Sequence, residues 1–165
     1  MEKLVGKQEL EFRKFDGTKI ENVNQYVKDF LKEYPYTNLI VGCDSQQHSR
    51  FIQYAVSILM HIHDESGSGK GCHVIYATVK DYSKNIRSDI YTKLWSEVVY
   101  AVDAAKLIED CGQKISIHLD YNSDKSAYSH ILYDAGLGYA LASGFKAYGK
   151  PDGSVASIVA DYLCR

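Results

Sequence analysis

The run Asn38-Leu39-Ile40-Val41-Gly42-Cys43 is apolar at nearly every position. A strand with one wet face alternates polar and apolar residues, whereas one without alternation is covered on both sides. This run therefore belongs in the middle of a sheet that is itself sandwiched between other layers. It is followed directly by Asp44, which the pattern places at the carboxyl end of the strand. That is the edge of an α/β sheet where ligands gather.

The rest of the chain supplies the layers. Residues 50–61 and 72–80 are rich in β-branched and aromatic side chains, and the polar, glycine-rich segment 64–71 between them reads as a hairpin connection. Over 88–110 the period becomes helical, with Leu94, Trp95, Val98, Ala101, Val102, Ala105 and Ile108 on one broad face and Cys111-Gly112 as the stop. Residues 114–120 alternate Ile115, Ile117 and Leu119 against Ser116, His118 and Asp120, a strand with two different faces. A helix is expected over 126–142, weakened by Gly136 and Gly138, then a short strand over 145–148. A last helix is expected over 153–163, with Val155, Ile158, Val159 and Tyr162 as its apolar side. Ahead of all this, residues 9–20 carry a turn signal between two short extended pieces. Val23, Tyr26, Val27, Phe30 and Leu31 then recur at helical spacing until Pro35.

This order predicts an α/β domain over 37–165 with a mixed five-stranded sheet, three antiparallel strands followed by alternating helix and strand, and helices on both faces. Residues 1–36 read as an N-terminal extension, a short strand pair plus an amphipathic helix, packed on that domain. At 165 residues the chain is long enough to bury one core. No apolar run is long enough to span a bilayer, and the first residues lack a secretory pattern, so a cytoplasmic address and no membrane partner are expected. The four cysteines, Cys43, Cys72, Cys111 and Cys164, form no C-x-x-C and read as small buried hydrophobes. The net charge of −2 speaks against a sequence-independent nucleic-acid binder, which carries a basic excess. It leaves a nuclease open, because a metal site brings acids of its own.

Several acids occupy positions where a hydrophobic residue would be expected. Asp120 closes its strand at the same end as Asp44. Glu97 lies inside the apolar stripe of its helix, between Leu94 and Ala101, and an acid facing a sheet is costly unless paired or metal-bound. Asp161 follows Ile158 by three on the last helix and can also look inward. A strand-end aspartate alone is often a turn former. Four acids on separate elements, each near a plausible sheet edge, point instead to a hard-cation site for Mg²⁺ or Mn²⁺ rather than zinc. Glu109 and Asp110 are weaker substitutes for Glu97 on the same helix. The pair His61/His63 resembles half a metal site, lacks a matched Cys or acid in sequence, and reads as strand-end surface.

The string Val41-Gly42-Cys43-Asp44-Ser45-Gln46 resembles the first-strand motif of the ribonuclease-H-like superfamily. The resemblance continues through Ile117-His118-Leu119-Asp120 with Lys125-Ser126, Gly144-Phe145 leading to Lys150-Pro151, and Ala156-Ser157-Ile158-Val159-Ala160-Asp161. More narrowly, the chain looks like a small bacterial family of predicted RNase-H-related nucleases, over about residues 36–165. It implies Asp44 as the first-strand aspartate, Glu97 as the helix glutamate, Asp120 as the fourth-strand aspartate and Asp161 as the last-helix carboxylate. It also implies metal-dependent hydrolysis of nucleic acid, with RNA, an RNA–DNA hybrid or branched DNA as the partner. In that chemistry two ions about 3.5–4 Å apart activate a water and stabilise the leaving oxygen. Asp44 would bridge both ions, with Glu97 and Asp120 on one and Asp161 on the other.

Around these acids, Lys150 could approach the scissile phosphate or simply be a solvated loop lysine. Ser45, Gln46, His48, His118, Asn122 and Lys125 are candidates for touching substrate or supporting the ligands, and His118 reads equally as a satisfied core histidine. The 14 tyrosines could include base-stacking residues, although Tyr26, Tyr54, Tyr76 and Tyr100 sit where core packing explains them. A non-catalytic nucleic-acid- or protein-binding module on the same fold is the competing reading, since fold does not fix function. An ATPase of the actin-like kind needs a glycine-rich phosphate loop after the first strand, and Asp44-Ser45-Gln46-Gln47-His48-Ser49 has none. A homodimer is left open.

Overall fold

The computed structural model describes residues 8–83, 89–126, 129–150, 152, 153, 159 and 163. Its elements run β1 (Arg13–Lys14), α1 (Val23–Glu33), β2 (Thr37–Gln47), β3 (Ile52–His63), β4 (Gly69–Asp81), α2 (Ile90–Leu107), β5 (Ile115–Asn122), α3 (His130–Ala142) and β6 (Lys146–Lys150). They form one mixed sheet in the order β1-β4-β3-β2-β5-β6. The left half is antiparallel, while β2/β5 and β5/β6 are parallel.

The sheet has six strands where the sequence predicts five. Arg13 and Lys14 pair with Tyr76 and Ile75 on the outer edge of β4, so one piece of the expected strand pair extends the main sheet. Its partner is reduced to a single bridge between Arg13 and Lys19. The physical reason is that β4 presents a long outer edge whose backbone groups need partners. Phe12 and Ile20 flank the join and are buried in the same cluster as Val41 and Ile58.

Helices α1, α2 and α3 all lie on one face of the sheet. Tyr26 and Phe30 of α1 meet His73, by a 2.7 Å hydrogen bond and a ring contact at 5.3 Å respectively. His73 is in register with Met60, which is in register with Leu39. On that same face Tyr121 donates its hydroxyl to the Leu94 carbonyl of α2 and abuts Gly136 of α3. α1 starts where the Asn22 side chain accepts the Gln25 N–H, and α2 where Asp89 accepts the Tyr91 N–H. The buried stripe of α2 carries Ala101, Ala104 and Ala105, small residues that let the helix axis approach the sheet. α3 ends on Gly144, at φ 95°, with Phe145 N–H returning to the Ala140 carbonyl, a left-handed cap that aims the chain into β6.

On the second face Ala55, Ser57 and Leu59 are buried, and Leu163 packs against Ala55. Of the expected last helix, Val159 and Leu163 are helical, and Val155, Ile158, Asp161 and Tyr162 lie outside the described residues. Among the described residues no helix is long and apolar enough to cross a membrane.

Candidate metal centre

The parallel pairing of β2 with β5 ends at Cys43 opposite Leu119. Asp44 and Asp120 are the next residue on each strand, so they lie side by side at the carboxyl end of the parallel pair. Alternation along the strands turns both toward the face opposite α2. Asp44 does not terminate its strand, as the sequence reading has it. β2 continues to Gln47 because β3 keeps pairing with it, Asp44 opposite Ala55 and Gln47 opposite Ile52. On the other side, the β5/β6 register shifts between His118 and Asn122. Asp44 and Asp120 thus sit where one neighbour strand stops and the other goes on, which is the kind of crevice in which open sheets bind ligands.

Both aspartates are half-buried. Asp44 Oδ1 accepts the Ser45 N–H at 2.8 Å. Asp120 Oδ1 is shielded from solvent and forms an ion pair with the ammonium of Lys150, which reaches over from β6 opposite Asn122. No hydrogen bond of ordinary geometry from a described residue reaches that oxygen.

Glu97 approaches from the other side. It is 3% exposed on the sheet-facing side of α2, and its Oε1 accepts the hydroxyl proton of Ser45. Ser45 therefore points to the helix while Asp44 points away from it. Burial raises the Glu97 pKa, against the Ser45 hydrogen bond; the negative charge of Asp44 raises it, Lys93 opposes, and Asp120 raises it again. The outcome is a carboxyl pushed up to about 8, which holds its proton at neutral pH. Lys93, one helical turn before Glu97, is a contributor the sequence reading missed. The four-residue spacing was its visible signal.

Among the described residues no three His, Cys, Asp or Glu side chains close on a point where they would hold an ion. The structure brings Asp44 and Asp120 to one crevice and Glu97 within electrostatic reach of both. Each acid is balanced separately, by a backbone N–H, an ammonium and a proton. The donor set still fits a divalent cation of the Mg²⁺ type: hard carboxylate oxygens, a shielded Asp120 oxygen, and a buried glutamate kept protonated partly by its acidic neighbours.

The other candidates divide. Lys150 is at the site through Asp120. His118 is buried on the Asp120 face, its ring edge-on to Tyr148 at 5.6 Å, its Nδ1 without a hydrogen-bond partner among the described residues. Burial lowers its pKa and keeps the ring neutral. Ser45 spends its hydroxyl on Glu97 and so acts through that residue. Asn122 accepts the Asp124 N–H at 2.9 Å and shapes the turn after β5, while Lys125 is exposed in the same turn. Gln46 is exposed on the Asp44 face, and His48 stacks on Phe51. Glu109 and Asp110 fall beyond the end of α2, and Asp110 pairs with Lys28, which removes them as substitutes for Glu97. His61 and His63 place their rings 4.2 Å apart and His61 is in register with Cys72, a neighbour that linear spacing conceals.

A family model described as Ribonuclease H-like matches residues 20–165. The chain is similar to the crystal structure of RNase H1 from the halophilic archaeon Halobacterium salinarum, at 13% identity and a TM-score of 0.34, covering 75% of this chain and 95% of that one. It is also similar to the N-terminal RNase H domain of a Mycobacterium tuberculosis protein solved as a fusion with maltose-binding protein. There the identity is 7% and the TM-score 0.34, covering 78% of this chain and 94% of that one. A search of curated proteins finds no match.

Proposed function

This chain belongs to the ribonuclease H-like family, and on that premise we propose that it is a metal-dependent nuclease hydrolysing phosphodiester bonds of nucleic acid. The observation that carries the reading is the juxtaposition of Asp44 and Asp120 one step past the last parallel β2/β5 pair, with Glu97 protonated behind them. Asp44, Asp120 and Glu97 are the residues that would hold Mg²⁺ or Mn²⁺, joined by Asp161, which lies outside the described residues. When bound, a pair of such ions supplies an activated water at neutral pH and charge relief on the leaving oxygen. Glu97 would have to give up its proton to hold such an ion, and the Ser45 hydroxyl orients its carboxyl group. Lys150 exchanges its place on Asp120 for a substrate phosphate, which an ammonium binds as a point charge. His118, neutral and desolvated, holds the β5 end of the crevice against Tyr148.

Calorimetry with Mn²⁺ on the wild-type chain and on Asp44→Asn tests this directly, followed by cleavage of labelled hybrid, single-stranded and branched substrates with and without a chelator. Metal-dependent heat in the wild type, lost in the variant and accompanied by cleavage, is the expected result. Absent heat in the wild type, or the same heat in both, refutes the site. The alternative of a non-catalytic nucleic-acid- or protein-binding module is favoured by one observation: Lys150 and Ser45 occupy the carboxylates that an ion would need. Nucleic-acid binding without cleavage at any divalent ion would decide for it.

A further inference from the structure

The face that carries Asp44 bears a second feature along the same strands. Because β2, β3 and β4 are continuous antiparallel neighbours, their register stacks side chains into rows on that face. Asp44 lies in a row with Ala55 and Thr78, and the next row is Gln46, Gln53 and Lys80. Continuing the same register past the strand ends, the third row is His48, Phe51 and Tyr82. All three are aromatic rings. His48 stacks on Phe51 at 4.7 Å, and Phe51 meets Tyr82 at 5.4 Å. The Lys80 ammonium stands 4.9 Å from the centre of the Phe51 ring. The His48 N–H to Phe51 carbonyl bond of 2.8 Å holds those two residues side by side.

Hairpin packing accounts for His48 and Phe51, which are half-buried, but not for Tyr82, which is 60% exposed. The Lys80 ammonium borders the row, whereas Asp81 alternates to the opposite face beside Ile52. An open ring with a cation at its border is the chemistry that binds an unpaired base and the phosphate beside it. The row is four residues beyond Asp44, about 13 Å along the strand, or the length of about four stacked nucleotides. Exposed Gln46 lies between, and on β3 the Gln53 amide bonds the Leu163 carbonyl at the border of this path.

We infer that the His48–Phe51–Tyr82 row is a stacking platform for an unpaired base of the nucleic-acid substrate, so that the chain prefers a strand with single-stranded character on one side of Asp44. In a continuous duplex the base faces are already stacked on one another and offer the platform nothing. The inference rests on the nuclease reading for the identity of its ligand.

The test uses the full chain with Asp44→Asn to prevent turnover, in Mg²⁺, with fluorescence anisotropy on three probes: an oligothymidylate, a strand of the same length made of abasic sites, and a blunt duplex. Tyr82→Ala is expected to weaken oligothymidylate binding about tenfold or more, and Tyr82→Phe to leave it within about twofold, as loss of one base–aromatic stack requires. Abasic and duplex affinities stay unchanged in both variants. Thermal unfolding checks that the exposed substitution leaves the fold intact. An unchanged oligothymidylate affinity in Tyr82→Ala, an equal loss on the abasic strand, or no binding of oligothymidylate at all overturns the platform. Metal-dependent cleavage by the wild type together with a silent Tyr82→Ala overturns the platform alone. Tyr82-dependent binding without cleavage supports the platform and overturns the nuclease.

Discussion

Replacing Glu97 by Gln isolates what it takes to keep that carboxyl group beside two aspartates. Burial first, with Asp44 and Asp120 reinforcing it against Ser45 and Lys93, lifts its pKa from 4.5 to about 8 in the folded chain. In the unfolded chain the group ionises near 4.5, so between pH 4.5 and about pH 8 the folded state holds a proton that the unfolded state has released. The folded pKa is the higher one, so this stability is fully present below pH 4.5, declines as pH rises, and is gone above about pH 8. At about 1.4 kcal/mol per unit, the loss across the window is on the order of 5 kcal/mol, most of it reached by about pH 7. Gln keeps the shape and the Oε1 acceptor for the Ser45 hydroxyl and carries no charge at any pH.

Urea unfolding in a chelator, at several values across that window, is the assay. Wild type and Glu97→Gln should unfold at similar denaturant concentrations near the acidic end. They should separate progressively above it, the variant being more stable by several kcal/mol, about 3–5, at the alkaline end. Added Mn²⁺ should close the gap by stabilising the wild type, since an ion replaces the proton. Two unfolding curves that keep a constant separation at every pH would refute the reasoning, because the Glu97 proton would then be the same in both states.

Lys150→Met removes an ion pair whose side chains are 42% and 30% exposed, so stability should change by less than about 1 kcal/mol. Mn²⁺ should bind more tightly by calorimetry because Asp120 loses a competing cation, and weaker binding would contradict this. Gly136→Ala places a Cβ 2.6 Å from Cε2 of Tyr121 and 3.3 Å from Cδ1 of Leu119. Tyr121 is fully buried with its hydroxyl fixed on Leu94, so overpacking of about 1–3 kcal/mol should outweigh the gain of about 1 kcal/mol in helix propensity. A raised melting temperature would disprove it.

The central strand was legible because burial on both faces removes alternation, and a run such as Leu39-Ile40-Val41 has few other uses. Its true length was not, because the apolar run stops at Cys43, and only backbone pairing with β3 carries the strand on through Gln47. The helix carrying Glu97 was readable from its stripe. It ends at Leu107 rather than 110 because Ile108 packs into the core from a turn, an apolar residue that periodicity counts as helical. Helix α3 begins at His130 rather than 126, and the Ser129 hydroxyl just before it accepts the Asn122 N–H. Single-sequence patterns also miss what register alone decides. Neither the His61/Cys72 neighbours nor the row His48–Phe51–Tyr82 shares any linear spacing, and both follow once β3 is aligned with β4.

Register likewise decides how the acids relate to one another. A one-residue slip of β2 would exchange Asp44 and Ser45 between faces, setting a second carboxylate against Glu97 and its hydroxyl partner on the far side. The observed register instead divides the negative charge across the sheet edge. Asp44 and Asp120 stand on one side, and Glu97 on the other is kept neutral by its proton and capped by Ser45. That division, with the Lys150 ammonium on Asp120, is what lets the chain fold around three acids. On the proposed reading, a cation entering the crevice would take the place of the ammonium on Asp120 and draw down the pKa of Glu97 through its charge. On that reading, ion binding at this edge would be coupled to proton release from the helix and to the freeing of Lys150, which is paired with Asp120.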